Sequence, residues 1–333
     1  MSVEATSRTI PQRPAPMAAA ANSEFGLAVE QGLKADQKAI SSRYLYDSRG
    51  SALFVEITQL DEYYLSRCED EIFRDQAHRI VQAIGSEIAE VVELGCGDGF
   101  KTERLLQAIQ DEQSQLKFVP VDISEDAIQT IEERMTDALP SVRLDSFTGD
   151  YDHFLQRNAK PTSGARLVLF LGSNIGNFTH AEASRFVRQI HQYCNTGDYL
   201  LLGLDLKKDI DLLHAAYNDN RGVTAEFNFN LLERMNRELG ANFDRNKFRH
   251  HGYYNAQLGA MQSYLVSTEA QSVAVEALDL VAHFDCLEAI HLEDSHKYSL
   301  QDIHRLAAHS GFRVQELFSD SRDYFVDALL QKV

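Results

Sequence analysis

Apolar and polar positions follow two rhythms along this chain, and the change of rhythm divides it. Between Glu69 and Leu204, short apolar runs of strand length recur at Val91–Leu94, Phe118–Val121, Val142–Phe147, Leu167–Leu171 and Tyr199–Leu204. Stretches with apolar residues at helical spacing separate them, at Arg104–Gln110, Ser124–Met135, near His153–Gln156 and at His180–Cys194. Runs that are apolar throughout suit strands buried on both faces, so the alternation predicts a parallel sheet covered by helices on both sides. After Leu206 the alternation stops. Two polar-faced helices, Asp209–Ala216 and Ala225–Leu239, precede two strands, Gln262–Glu269 and Val273–Leu280, and a polar stretch to His291. The first rhythm then returns as a helix, Leu300–Ser310, stopped by Gly311. A strand pair, Arg313–Ser319 and Tyr324–Gln331, closes the chain as an antiparallel edge. Upstream, helical spacing over Phe25–Ala39, Ser51–Leu60 and Glu69–Ile84 brackets two tyrosine pairs, Tyr44/Tyr46 and Tyr63/Tyr64.

The junction after the first strand carries the chemistry. Val91–Thr102 reads VVELGCGDGFKT: an apolar run with Glu93 near its end, glycines at 95, 97 and 99, then a helix. Glycine lets the backbone approach a ligand closely, and the second strand ends on Asp122, placed to accept both hydroxyls of a ribose. A dinucleotide site prefers Gly-x-Gly-x-x-Gly with a diphosphate at the helix N-terminus. Here the third glycine comes one residue early, and Asp98 puts negative charge where the diphosphate belongs. S-adenosylmethionine, with a cationic sulfonium and no phosphate, suits the loop better. Gly149-Asp150-Tyr151 ends the third strand and LGSNIGNF, Leu171–Phe178, the fourth, so all four motifs fall at strand carboxyl ends, where open α/β sheets bind ligands.

Composition narrows the partners. With 44% apolar and 25% charged residues, the 333-residue chain supports a packed core, and its net charge of −18 argues against nucleic acid or an anionic membrane. No apolar stretch is long enough to span a bilayer. The cysteines at 68, 96, 194 and 286 are far apart and the histidines lack ligand spacing, so neither a disulfide framework nor a metal site is expected. Residues 1–23 read as a disordered leader without a secretory signal. A cytoplasmic monomer acting on a small molecule is the resulting expectation.

Eight ordered motifs then bring a resemblance into view: YLYDSRGSALFVEIT, LDEYYLSR, VELGCGDGFKT, FVPVDIS, GDY, LFLGSNIGN, AAYNDNRGVTAEFNFNLL and IHLEDSHKYS. Over residues 25–333 the chain resembles the histidine-specific Nα-methyltransferases that make histidine betaine, hercynine, in the first step of ergothioneine biosynthesis. The resemblance implies an α/β fold: a Rossmann-like class I methyltransferase core, residues 68–207 and 298–333, with a separate α+β substrate-binding domain from 24–67 and 208–297. It implies that Gly95, Gly97, Lys101, Asp122, Asp150 and Tyr151 hold S-adenosyl-L-methionine, with Tyr46 nearby. It further implies that Asn177 and Tyr217 bind the α-carboxylate of histidine, that Tyr63 contacts the imidazole, and that Glu293 and Ser295 read its two nitrogens. Thr224 and Phe227 match positions lining the same pocket, and Tyr46, Asn177 and Tyr217 stand nearest the reacting amine. Two departures bear on pocket shape: Leu65-Ser66-Arg67 replaces the family's usual Pro-Thr-Arg, and Ser263 stands where Met is frequent. A sister methyltransferase acting on another amino acid, or on an imidazole ring nitrogen, is the alternative reading.

Overall fold

The computed structural model describes residues 19–157 and 161–333, so the expected leader lies, up to residue 18, outside the described residues. In chain order the elements are α1 (Glu24–Lys34), α2 (Ser48–Thr58), α3 (Leu65–Ile84), β1 (Ile88–Leu94), α4 (Phe100–Glu112), β2 (Lys117–Asp122) and α5 (Glu125–Ala138). β3 (Arg143–Leu144), β4 (Phe147–Thr148), α6 (Tyr151–Leu155), β5 (Ala165–Phe170), α7 (His180–Tyr193) and β6 (Tyr199–Asp205) follow. Next come α8 (Ile210–Tyr217), α9 (Val223–Leu239), β7 (Phe248–Asn255), β8 (Ala260–Ser267), β9 (Gln271–Val275), β10 (Leu280–Phe284) and β11 (Ala289–His296). The last three are α10 (Leu300–His309), β12 (Phe312–Ser319) and β13 (Phe325–Lys332).

Two compact units result. The larger, Val55–Arg221 with Gly252–Gln262 and Asp294–Val333, contains a sheet in the order β12-β13-β6-β5-β1-β2-β3, with β4 also on β2. β1, β2, β5 and β6 run parallel, while β13 is antiparallel to both β6 and β12. β6 is buried at every position and β5 at all but its first, as their apolar runs require. The strand order turns back at β1, which neighbours both β2 and β5, so the carboxyl ends of β1 and β5 form the switch point at which open α/β sheets bind ligands. Helix starts are chemically fixed: Thr179 and Glu182 form a reciprocal cap on α7, as Ser299 and Asp302 do on α10.

Three readings change. Val142–Phe147 is not one strand, because Asp145 turns out to pair with Lys117 at 2.7 Å and splits the run into β3 and β4. Val273–Leu280 ends at Val275 in a 3-10 turn, Glu276–Leu278. The polar segments 248–255 and 289–296 are strands, joined through β8 in a three-stranded sheet; their polar composition, which includes the buried Ser295 and His296, gave no apolar alternation to read. The compact units also divide the chain at other points than 67/68, 207/208 and 297/298. Residues 55–67, 208–221, 252–262 and 294–297 belong to the larger unit, where Tyr64, Lys208 and Lys297 are buried around Asp205 at the end of β6.

The smaller unit holds α1, α2 up to Phe54, all of α9, and β9 and β10. Asp47 organises it, accepting from Gly50 N at 2.8 Å, Asn230 Nδ2 at 2.7 Å and Arg237 Nη2 at 2.6 Å. Burial raises the Asp47 pKa, but these donors outweigh it and the net shift is downward.

Candidate active site

β1 ends at Leu94, and the chain turns through Gly95, Gly97 and Gly99 at φ of +79°, +52° and +67°, a region L side chains avoid. A Cβ at Gly95 would lie 2.5 Å from the Tyr151 hydroxyl, and one at Gly99 would lie 2.6 Å from Ile131 Cγ1. At Gly97 it would meet nothing within 4 Å, so that backbone stands open to a ligand. Asp122, ending β2, accepts from Ser124 N at 2.9 Å and from Gly97 N at 3.5 Å, which ties the carboxylate to the loop. Burial pushes its pKa up, against the pull of those backbone N–H groups. Beside it Ile123 is 62% exposed, an apolar face without protein cover. Asp150 accepts from His153 N at 2.7 Å and caps α6, which starts at Tyr151.

Lys101, on the first turn of α4, ion-pairs with the fully buried Glu69. Glu69 Oε1 also accepts from Gly172 N at 2.7 Å, and a Cβ at Gly203 would come within 2.4 Å of that oxygen. Asp327 sits opposite Gly203 in the β6–β13 register. Burial, then the adjacent Glu69, push the Asp327 pKa up. Glu93 accepts from Thr102 Oγ1 at 2.7 Å, and burial pushes its pKa up to about 8.

The second cluster gathers at the end of β6. Lys297, fully buried, donates to Asp205 Oδ2 at 2.8 Å and to the Tyr217 and Ser295 hydroxyls, each at 2.9 Å. The Tyr217 hydroxyl donates to Ser295 Oγ at 2.7 Å. Asp205 also takes the Tyr64 hydroxyl at 2.8 Å and the ammonium of Lys208, whose Nζ reaches Tyr64 Oη at 2.9 Å and Leu206 O at 2.6 Å. Desolvation, with Lys297 adding to it, lowers the Lys208 pKa against the opposing pull of Asp205, and burial raises that of Tyr64. Asn177 closes a 3-10 turn after β5, and the buried Tyr63 precedes Tyr64.

Comparison with known proteins decides the class. The profile of the histidine-specific, S-adenosylmethionine-dependent methyltransferases matches residues 25–332. The chain is 37% identical to histidine N-alpha-methyltransferase of Mycolicibacterium smegmatis, covering 88% of this chain and 90% of that one. It is 35% identical to the enzyme of that name from Mycobacterium tuberculosis, over 91% and 94% of the two chains. With ergothioneine biosynthesis protein 1 of Schizosaccharomyces pombe it shares 31% identity over 89% of this chain and 39% of that longer protein. The chain belongs to the histidine-specific methyltransferase family. It is an S-adenosylmethionine-dependent enzyme with the Rossmann-like class I fold, and the loop's donor set fits that cofactor. Gly97 leaves the backbone open, Asp122 offers a carboxylate, and Ile123 offers an apolar surface.

Of the residues this family membership points to, the structure brings together Gly95 with Tyr151, Gly97 with Asp122, and Tyr217 with Ser295. In the smaller unit it brings Tyr46 onto Phe227, edge to face with ring centroids 5.3 Å apart. Thr224 and Phe227 are buried one helical turn apart on α9; Ser263 is buried and Glu293 half-buried. Lys101 meets Glu69, which sequence reasoning missed along with Asp205, Lys208, Lys297 and the role of Tyr64. A signal existed for Asp205. LLLGLD ends an apolar strand run on an acid, the pattern that singled out Glu93 and Asp122. Among the described residues no cluster of His, Cys, Asp and Glu suits a metal, and no helix is long and apolar enough to cross a membrane.

Proposed function

We propose that the enzyme methylates the α-nitrogen of L-histidine three times to give hercynine, the first step of ergothioneine biosynthesis. The names of its relatives support this reading, and the observation that carries it is the Tyr217–Ser295 hydroxyl pair with a buried ammonium behind it. A neutral imidazole has one N–H donor and one acceptor nitrogen. Glu293 takes the first and Ser295 serves the second, while Thr224, Phe227 and Tyr63 shape the space around the ring. Asn177 and Tyr217 hold the α-carboxylate.

S-adenosylmethionine, when bound, supplies an activated methyl group on a cationic sulfonium. Gly95, Gly97, Asp122, Asp150 and Tyr151 would hold it, with Lys101 and Tyr46 beside them. The protein's own task is to hold the neutral α-amine at near-attack distance. Tyr46, Asn177 and Tyr217 orient that nitrogen, and water takes the one proton that the ammonium must lose before each of the three transfers. As nitrogen becomes quaternary, the faces of Tyr46 and Tyr63 accommodate it by cation–π attraction. The high negative net charge and the free thiols at Cys68, Cys96, Cys194 and Cys286 support a monomer in a reducing cytoplasm. Incubation with S-adenosylmethionine and all twenty amino acids, followed by mass spectrometry, tests the assignment. Trimethylhistidine is the expected product; a different amino acid, or methylation on the ring, would overturn it.

A further inference from the structure

We propose that Lys297, with Asp205 and Lys208, is a positioning residue that makes the enzyme select an amino acid carrying a free α-carboxylate. The inference rests on the histidine reading and adds a component to it. An ammonium has three hydrogens and no lone pair. Those of Lys297 go to Asp205, Tyr217 and Ser295 at 2.8, 2.9 and 2.9 Å, so none is left to touch a ligand. What the lysine does is fill one lone pair on each hydroxyl from behind. The Tyr217 hydroxyl donates to Ser295 at 2.7 Å. A carboxylate is a far better acceptor than a serine oxygen. Once one arrives, Tyr217 turns its hydrogen to the anion, and the Ser295 hydrogen is free to point outward as well. Both oxygens keep a donor because Lys297 stays in place.

Charge points the same way. Lys297 and Lys208, 0% and 4% exposed, share the single carboxylate of Asp205. Two buried cations against one anion leave a positive surplus directly behind Tyr217, inside a protein of net charge −18. Such a surplus is costly unless an anion offsets it. A substrate carboxylate at Tyr217 completes the balance, and a cation polarising the phenol strengthens its donation.

The test compares histidine with histamine, which lacks only the carboxylate, by kcat/KM. Wild type should prefer histidine by about a hundredfold or more, and Lys297→Met should cut that preference about tenfold, through the KM for histidine rather than kcat. Affinity for S-adenosylhomocysteine should stay unchanged, reporting a folded protein with an intact cofactor site. An unchanged preference in a Lys297→Met protein that still binds S-adenosylhomocysteine would overturn the inference. If that variant does not fold, Lys208→Met removes the surplus while leaving the Lys297–Asp205 pair, and the preference should again fall; no change there overturns the inference equally. Wild type that uses histamine as well as histidine refutes the carboxylate role and leaves histidine methylation standing. Wild type that methylates neither removes the histidine reading itself.

Discussion

The glycine loop follows β1, and the lysine-backed hydroxyl pair is tied through Lys297 to Asp205 at the end of β6 in the same sheet, yet the two are built by opposite means. The loop is made of backbone. Three left-handed glycines within five residues leave bare peptide at Gly97, and one carboxylate, Asp122, leans over it from the next strand. The hydroxyl pair is made of side chains from distant points in the chain: Tyr64, Asp205, Lys208, Tyr217, Ser295 and Lys297. A backbone-built site depends on local conformation and tolerates a changing neighbourhood. A network of buried charges depends on every member, because removing one leaves another unpaired. The contrast separates what the two regions can select. An open backbone cradle takes a cofactor common to many methyltransferases, whereas a fully partnered network rejects a substrate that lacks one group.

The largest effect that tests this contrast is expected at the loop. Asp122→Ala removes the carboxylate from a backbone frame that stands without it. Two charge-assisted hydrogen bonds to a ribose are worth about 1.5–3 kcal/mol each, so cofactor affinity should fall a hundredfold or more. The fold should be undisturbed, since the Asp122 carboxylate accepts only from N–H groups of its own and the neighbouring loop. Calorimetry with S-adenosylhomocysteine reads the first, and the thermal midpoint the second. Unchanged affinity would remove Asp122 from the cofactor site.

The same contrast explains what could be read from the sequence. Glycine at 95, 97 and 99 declares its backbone geometry residue by residue, so the loop was legible, as were the alternation of strands with helices and the helices beginning at His180 and Leu300. The Lys101–Glu69 pair spans 32 residues and Tyr217–Lys297 spans 80; no periodicity signals contacts of that range. Lys208 and Lys297 look like solvated surface charges in a one-dimensional reading, because lysine is rarely buried. β7 and β11 escaped for a different reason: RHHGYYN and HLEDSH are mostly polar, and in β11 even the buried positions 295 and 296 carry Ser and His, which hides any apolar period.

An intermediate effect is expected where substrate discrimination resides. Glu293→Ala leaves one imidazole nitrogen unpaired, a cost of about 1–3 kcal/mol that corresponds to roughly a tenfold to hundredfold loss of kcat/KM with histidine. Phenylalanine and leucine should gain relative to histidine, because the carboxylate that penalises an apolar side chain is gone. Competition assays with wild type and the variant measure the ratio, and S-adenosylhomocysteine affinity should not move. A ratio that stays constant would place the reader of the imidazole elsewhere and make substrate selection as local as cofactor binding.

The smallest effect sharpens the comparison from within the loop region, where one buried side chain breaks the backbone-only pattern. Glu93 is 3% exposed, has Thr102 on one oxygen at 2.7 Å, and burial lifts its pKa to about 8. An unfolded glutamate ionises near pH 4.3, about one proton's worth below the native group across the interval from pH 5 to 8. In that window the native state binds the extra proton, so stability falls as pH rises. One proton held by the native state alone corresponds to about 1.4 kcal/mol per pH unit. Glu93→Gln keeps the Thr102 hydrogen bond and has nothing to titrate. Its stability should therefore decline less than that of wild type between pH 6 and 7, by about 1 kcal/mol. Other groups contribute equally to both proteins and cancel in the difference. Urea denaturation at the two pH values measures it. Parallel declines in wild type and variant would mean that Glu93 is ionised in the native state. Lys101 would then be shared between Glu69 and Glu93, and the glycine loop would rest on a side-chain network of the same kind as the one behind Tyr217.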